Sequence, residues 1–191
     1  MSIHNFDLSI KQISLGNILL IICCVFYLSW WLVAFKPEGT AHGVKTGLLL
    51  VPAFAAGIAA VILAVKGISS SPEDAGLFSK GVLLWGGIAA YVISLLVTGL
   101  FFKRPITTEL FLIIGWAVMA MSEINTLYGL SHFSYFQSVI FIVVILAATV
   151  VSLVCYVLYY NLGGLAGYVD GIIPLLLVAL VTAGISVTVM I

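Results

Sequence analysis

Long apolar runs, separated by short segments that hold most of the charged residues, constrain this chain more than any other feature of its sequence. As helices, six of these runs are long enough to cross the hydrocarbon core of a bilayer, which takes about 20 residues. Backbone polar groups in lipid must be satisfied within the segment, which favours helices over irregular chain. The sequence therefore predicts an all-α, polytopic integral membrane protein: a bundle of six transmembrane helices with short loops.

Composition supports lipid as the main solvent of the folded chain. Of the 191 residues, 63% are apolar and 7% are charged, whereas roughly 25% of the residues of a soluble domain are charged. Basic and acidic residues balance at seven each, so the basic surface that nucleic acid requires is excluded. The three cysteines lie inside apolar runs and form no CxxC motif. We therefore expect neither a metal site nor a cofactor.

Turn and capping signals divide the chain into one domain over residues 14–191, preceded by an interfacial or disordered segment over residues 1–13. Ser71 and Pro72 predict the start of the third helix, Ser134 and Gln137 form a capping box for the fifth, and Asp170 is predicted to be the N-cap of the sixth. The predicted spans are about 14–35, 44–65, 72–102, 106–130, 134–160 and 170–191.

One connection leaves an alternative topology open. Four glycines fall within the nine residues 163–171, yet the apolar character hardly drops there. Irregular backbone at membrane depth is tolerated where it is buried in protein or lines a cavity. The alternative is therefore five spans plus a re-entrant segment near residues 161–170.

Small residues at helical spacing predict faces where helices approach each other closely. In the second span the stripe is Ala53, Gly57, Ala60 and Ala64. The third span has a similar stripe, and the fifth aligns four further residues on one face. These two stripes consist of Gly86, Ala90, Ser94 and Thr98, and of Ala148, Ser152, Cys155 and Tyr159.

The densest polar patch in any apolar run lies in residues 106–130, around the carboxyl group of Glu123. Polar groups inside a membrane are costly and mark functional sites. One helical stripe there is predicted to be a pocket wall, and the adjoining stripe a packing face. The candidate ligand- or proton-binding residues are Glu123, Trp116, Met119, Ser122, Asn125 and Thr126.

Three hypotheses account for Glu123, which lies roughly 25 Å along its helix from residue 106 and nearer the side of the termini. It is neutral and hydrogen-bonded within the bundle, it binds a ligand, a cation or a proton, or it is hydrated near the headgroups.

A second candidate site lies on the opposite side of the membrane, where polar and aromatic residues flank three helix ends. If these residues converge, they form the mouth of a cavity; the alternative is an aromatic belt with capped helix ends. The residues of this predicted mouth are Asp170, Glu109, Tyr160, Asn161, Tyr168 and Arg104.

Three classes of function fit these features to different degrees. The first is a binding or transport module for an ion or for an apolar or cationic small molecule. The second is a non-catalytic accessory subunit with a membrane-embedded protein partner or a second copy of itself. The third, an intramembrane enzyme, lacks GxSxG, HExxH and paired aspartates. The absence of a cleavable signal predicts a prokaryotic inner membrane, and the basic residues, three on one side against four, leave the orientation open.

Overall fold

A computed structural model of the protein describes residues 3–35, 47–71, 76–103, 108–159 and 161–190, without the side chains of residues 3–6. Within these ranges the chain is all-α, and its six helices are each long and apolar enough to cross a membrane. The predicted six-helix bundle is confirmed. The helices are α1 (Ile3–Ala34), α2 (Leu50–Ser69), α3 (Lys80–Phe102), α4 (Thr108–Gly129), α5 (Tyr135–Leu158) and α6 (Gly164–Met190).

Two helix starts differ from the prediction at the N-terminal half of the chain. Helix α1 runs without a break from Ile3, so residues 3–13 are helical and continuous with the first span. Helix α3 begins at Lys80, where the Ser79 hydroxyl accepts the N–H of Val82. The prediction of Ser71 as the cap of α3 is wrong, because its hydroxyl donates to the carbonyl of Ile68 at the end of α2.

The start of α6 also differs, while that of α5 is confirmed. Helix α6 begins at Gly164, whose φ of +55° is left-handed and suits glycine, so the chain reverses there. Asp170 is therefore inside the helix and is not its N-cap, and the segment predicted as re-entrant is mostly the first turns of α6. In the capping box of α5, the Ser134 hydroxyl accepts the N–H of Gln137, and the Gln137 side chain accepts the N–H of Ser134.

Helix α4 is the most buried element and α3 the least buried. Helix α1 packs against α2 and α6, α5 packs against α6 and α4, and α4 also contacts α2. Helix α3 packs mainly against α4 from outside this ring. The two candidate sites therefore depend on the five helices of the ring.

The α1–α2 contact is the closest helix packing, and it uses the predicted small-residue stripe. Ala53, Ala60 and Ala64 of α2 are buried, and a Cβ at Gly16 of α1 would lie 3.1 Å from the carbonyl oxygen of Ala60 and 3.2 Å from the nitrogen of Ala64. The two backbones therefore meet directly. On α3 the stripe prediction is wrong in its first half, where Gly86 is exposed and Gly87 faces α4 instead.

We predict that Gly16→Leu lowers the free energy of unfolding by about 1–3 kcal/mol, because the added side chain meets the backbone of α2 and forces the helices apart. Gly86→Leu is the matched control, since a Cβ there meets no atom within 4 Å. Thermal unfolding of the purified protein in dodecyl maltoside measures both. Equal stability of the two variants would contradict the close α1–α2 contact.

Candidate functional site

Helix α4 places the Glu123 side chain in the interior of the bundle, where it is 1% exposed. Glu123 lies six residues before the end of α4 at Gly129, about 9 Å along the axis at 1.5 Å per residue. It is therefore nearer the side of the termini, as the sequence predicts. Its burial contradicts the hypothesis of a hydrated carboxyl group near the headgroups.

The polar neighbour of Glu123 is Asn17 of α1, which is 2% exposed. The two side chains face each other, yet Nδ2 of Asn17 and Oε1 of Glu123 both lack a hydrogen-bond partner within the described residues. Buried polar atoms in folded proteins are nearly always paired, and an unpaired one costs about 1–3 kcal/mol. Asn17 was missed by the sequence analysis, although a single asparagine inside the apolar run of α1 was a visible signal.

Among the described residues, no positively charged side chain forms a salt bridge with Glu123. In the part of the chain that the structure describes, the salt bridge joins Lys11 to Asp7 at 2.6 Å on the exposed face of α1, and Glu123 takes part in none. No group of three potential metal ligands occurs among the described residues. The site thus consists of one carboxyl group and one amide.

Asn125, a predicted site residue, has a structural partner in the α2–α3 connection. Its Oδ1 accepts the N–H of Phe78 at 2.8 Å, and its Nδ2 donates to the carbonyl of Phe78, also at 2.8 Å. A Cβ at Gly76 would overlap this amide, so the glycine lets the loop approach. Asn125 therefore holds the α2–α3 connection against α4, on a different face from Glu123.

The other residues of the predicted pocket wall are packed rather than open. Trp116 belongs to the main hydrophobic core and Met119 packs against that core. Thr126 is buried near the end of α4. Ser122 donates to the carbonyl of Val118 in its own helix at 2.7 Å. The structure also places Asn17 of α1 next to Glu123, a contact between two helices that the stripe on α4 does not include.

The second candidate site contains a cavity of about 330 Å³ between the ends of α1, α5 and α6. Its walls include the side chains of Trp31, Phe35, Tyr159 and Tyr168, and the backbone of Gly167. The Trp31 indole N–H donates to the carbonyl of Tyr168 at 3.3 Å, and the Tyr168 hydroxyl donates to the carbonyl of Leu32 at 3.3 Å. These two bonds tie the end of α1 to the start of α6.

Asp170 lies one helical turn past Gly167 and is 7% exposed. The Cys155 thiol of α5 is its hydrogen-bonding neighbour, while its Oδ2 has no partner among the described residues. The Ser152 hydroxyl, on the same face of α5 as Cys155, is also buried and unpaired there. In the predicted α5 stripe, Ala148, Ser152 and Cys155 are thus buried, and Tyr159 lines the cavity.

Only part of the predicted mouth converges on this cavity. Tyr168 lines it and Asp170 lies beneath it, whereas Asn161 is exposed and its N–H donates to the carbonyl of Leu158. Glu109 is exposed in the first turn of α4 and interacts with Tyr27. Tyr160 and Arg104 lie outside the described residues. Trp31 and Phe35, which line the cavity, were not among the predicted site residues.

No family model, curated protein or solved structure matches the chain. The site geometry is therefore the basis for any proposal about function.

We predict that Asn125→Ala lowers the free energy of unfolding by about 2–3 kcal/mol, because two hydrogen bonds to Phe78 are lost and its backbone groups are left unpaired. Hydrogen exchange of the Phe78 amide should be faster in this variant than in the wild type, because that N–H loses its acceptor. Ser122→Ala is the control and should be nearly neutral, since that hydroxyl bonds only its own helix in the structure. Unchanged exchange of the Phe78 amide in Asn125→Ala would contradict the two hydrogen bonds between Asn125 and Phe78.

Proposed function

We propose that this protein is a membrane-embedded binding module, in a transport role, whose Glu123–Asn17 pair binds a proton or a monovalent cation. The observation that supports it is the buried carboxyl group of Glu123 facing the Asn17 amide, with one atom of each lacking a hydrogen-bond partner among the described residues. Intramembrane carboxyl groups of this kind are functional-site candidates. The inner membrane of a prokaryotic cell, across which ion gradients are maintained, is the location that this proposal favours.

Charge balance limits what the pair can bind. An isolated carboxylate is strongly disfavoured in a low-dielectric interior, so it takes up a positive charge. One carboxylate is neutralised by one proton or by one monovalent cation, whereas a divalent ion would leave an uncompensated charge. Hard cations prefer oxygen ligands, and the pair offers the carboxylate oxygens of Glu123.

Labelling by dicyclohexylcarbodiimide tests this proposal, because this apolar reagent modifies protonated carboxyl groups in membranes. We expect modification of Glu123, measured by mass spectrometry of the purified protein, to slow as pH rises, since the reactive form is protonated. If the pair binds a cation, NaCl or KCl should protect Glu123 relative to N-methylglucamine chloride. In that case Asn17→Leu should keep the labelling and lose the protection, because it removes the polar neighbour of the carboxylate.

Glu109→Gln is the matched control, since it removes a carboxyl group that is exposed at the other end of α4; it should leave labelling of Glu123 unchanged. Labelling that depends neither on pH nor on these salts would overturn the proposal. Together with a stability of Glu123→Gln equal to wild type, that result would favour the alternative function, a non-catalytic subunit of a membrane complex.

A further inference from the structure

We propose that the cavity at the other side of the membrane, between α1, α5 and α6, is a second binding site, and that its ligand has a substituted ammonium group. The juxtaposition that points to it is an aromatic cavity of about 330 Å³ with a buried, incompletely paired carboxyl group one turn beneath it. This site is separate from Glu123, and its test does not depend on the function proposed above.

The walls of the cavity suit a cation. Four aromatic side chains line it, Trp31, Phe35, Tyr159 and Tyr168, and the faces of such rings attract ammonium groups through their quadrupoles. Trp31 and Tyr159 lie 5.9 Å apart between ring centroids, with their planes inclined at 59°. Phe35 stacks on Trp31 with ring centroids 4.4 Å apart, so these rings form one aromatic cluster at the cavity wall.

Asp170 supplies the counter-charge beneath the rings. Gly167 lines the cavity, and Asp170 follows it by three residues on α6, about 4.5 Å deeper along the axis. On α5, Tyr159 lines the cavity and Cys155, the neighbour of Asp170, lies one turn deeper. Cys155 and Asp170 thus lie at the same depth on two packed helices, and Oδ2 of Asp170 has no hydrogen-bond partner among the described residues.

Other ligand classes fit these groups less well. An anion would approach the Asp170 carboxylate, which repels it. A purely apolar ligand would leave Oδ2 buried and unpaired, at a cost that an ammonium group removes. An ammonium group with alkyl substituents suits both the carboxylate and the aromatic lining, since its charge faces Asp170 and its carbon atoms contact the rings.

The Trp31 ring packs against Gly171, in space that a side chain at this position would fill. A Cβ added at Gly171 would overlap the Trp31 ring, so Gly171→Ala displaces the indole from the cavity wall. Gly184 is a matched position on the same helix, where an added Cβ would make ordinary contact with Phe141 at 3.7 Å. The two glycine variants therefore separate a change in the cavity from a general change in α6.

The test is calorimetric titration of the full chain, purified in dodecyl maltoside, with choline and with its uncharged isostere 3,3-dimethylbutanol. We expect choline to bind at least about ten-fold more tightly, because only its charge interacts with Asp170 and the ring faces. Asp170→Asn should abolish this difference, and the control Asp7→Asn should keep it. Gly171→Ala should weaken choline binding, and Gly184→Ala should not.

Equal or absent binding of choline and its isostere to the wild-type protein overturns the proposal, whether or not any variant folds. Retention of the full difference in folded Asp170→Asn overturns it as well. The source of the ammonium group is distinguished by short-chain phosphatidylcholine. If this lipid binds more tightly than choline, the natural ligand is a lipid headgroup; if it does not, the ligand is a soluble ammonium compound.

Discussion

The direct contact between the backbones of α1 and α2 is the constraint on which both candidate sites depend. Lipid offers helices little hydrophobic reason to associate, so close packing of small residues provides the attraction. Gly16 lies against Ala60 and Ala64, and this sets the rotation of α1 about its axis. Asn17, the next residue, is turned by about 100° and faces Glu123. Further along the same helix, Trp31 reaches Gly171 of α6. A single helix thus contributes to both sites.

Polar contacts at the ends of the helices hold this arrangement without using the two buried carboxyl groups. The Lys80 ammonium donates to the carbonyls of Ile68 and Ser71, which satisfies the end of α2. The His132 Nε2 lies 3.0 Å from the carbonyl of Val189 and joins the α4–α5 connection to the end of α6. These two connections therefore have structural contacts, while Glu123 and Asp170 each keep an atom with no hydrogen-bond partner among the described residues.

These two carboxyl groups occupy equivalent depths on opposite sides of the protein. Glu123 precedes the end of α4 by six residues, and Asp170 follows the start of α6 by six. Their surroundings differ, because Glu123 faces one amide within packed side chains while Asp170 lies beneath an aromatic cavity. The space beside Asp170 is larger than that beside Glu123. The two proposals accordingly assign a proton or a bare monovalent ion to Glu123 and a larger organic cation to Asp170.

Much of the fold could be predicted from local patterns. Apolar length determined the six spans, the Ser134–Gln137 spacing determined the start of α5, and small-residue spacing determined the face of α2 that packs. The location of Glu123 toward the side of the termini also followed from its position within its run, whereas its burial was one of three open hypotheses. The predicted start of α6 at Asp170 was wrong. The helix begins at Gly164, whose left-handed backbone conformation starts it six residues earlier.

What the sequence by itself determined is which residues share a helix and a face, since these follow from a period of 3.6 residues and from the thickness of a bilayer. Only the tertiary structure decided which faces meet. It paired Asn17 with Glu123, Cys155 with Asp170 and Asn125 with Phe78. The physical reason is that nearly every face of these helices is apolar, so a periodic pattern does not distinguish the side facing lipid from the side facing a neighbour. Contacts between backbones, which depend on a few small residues, make that choice.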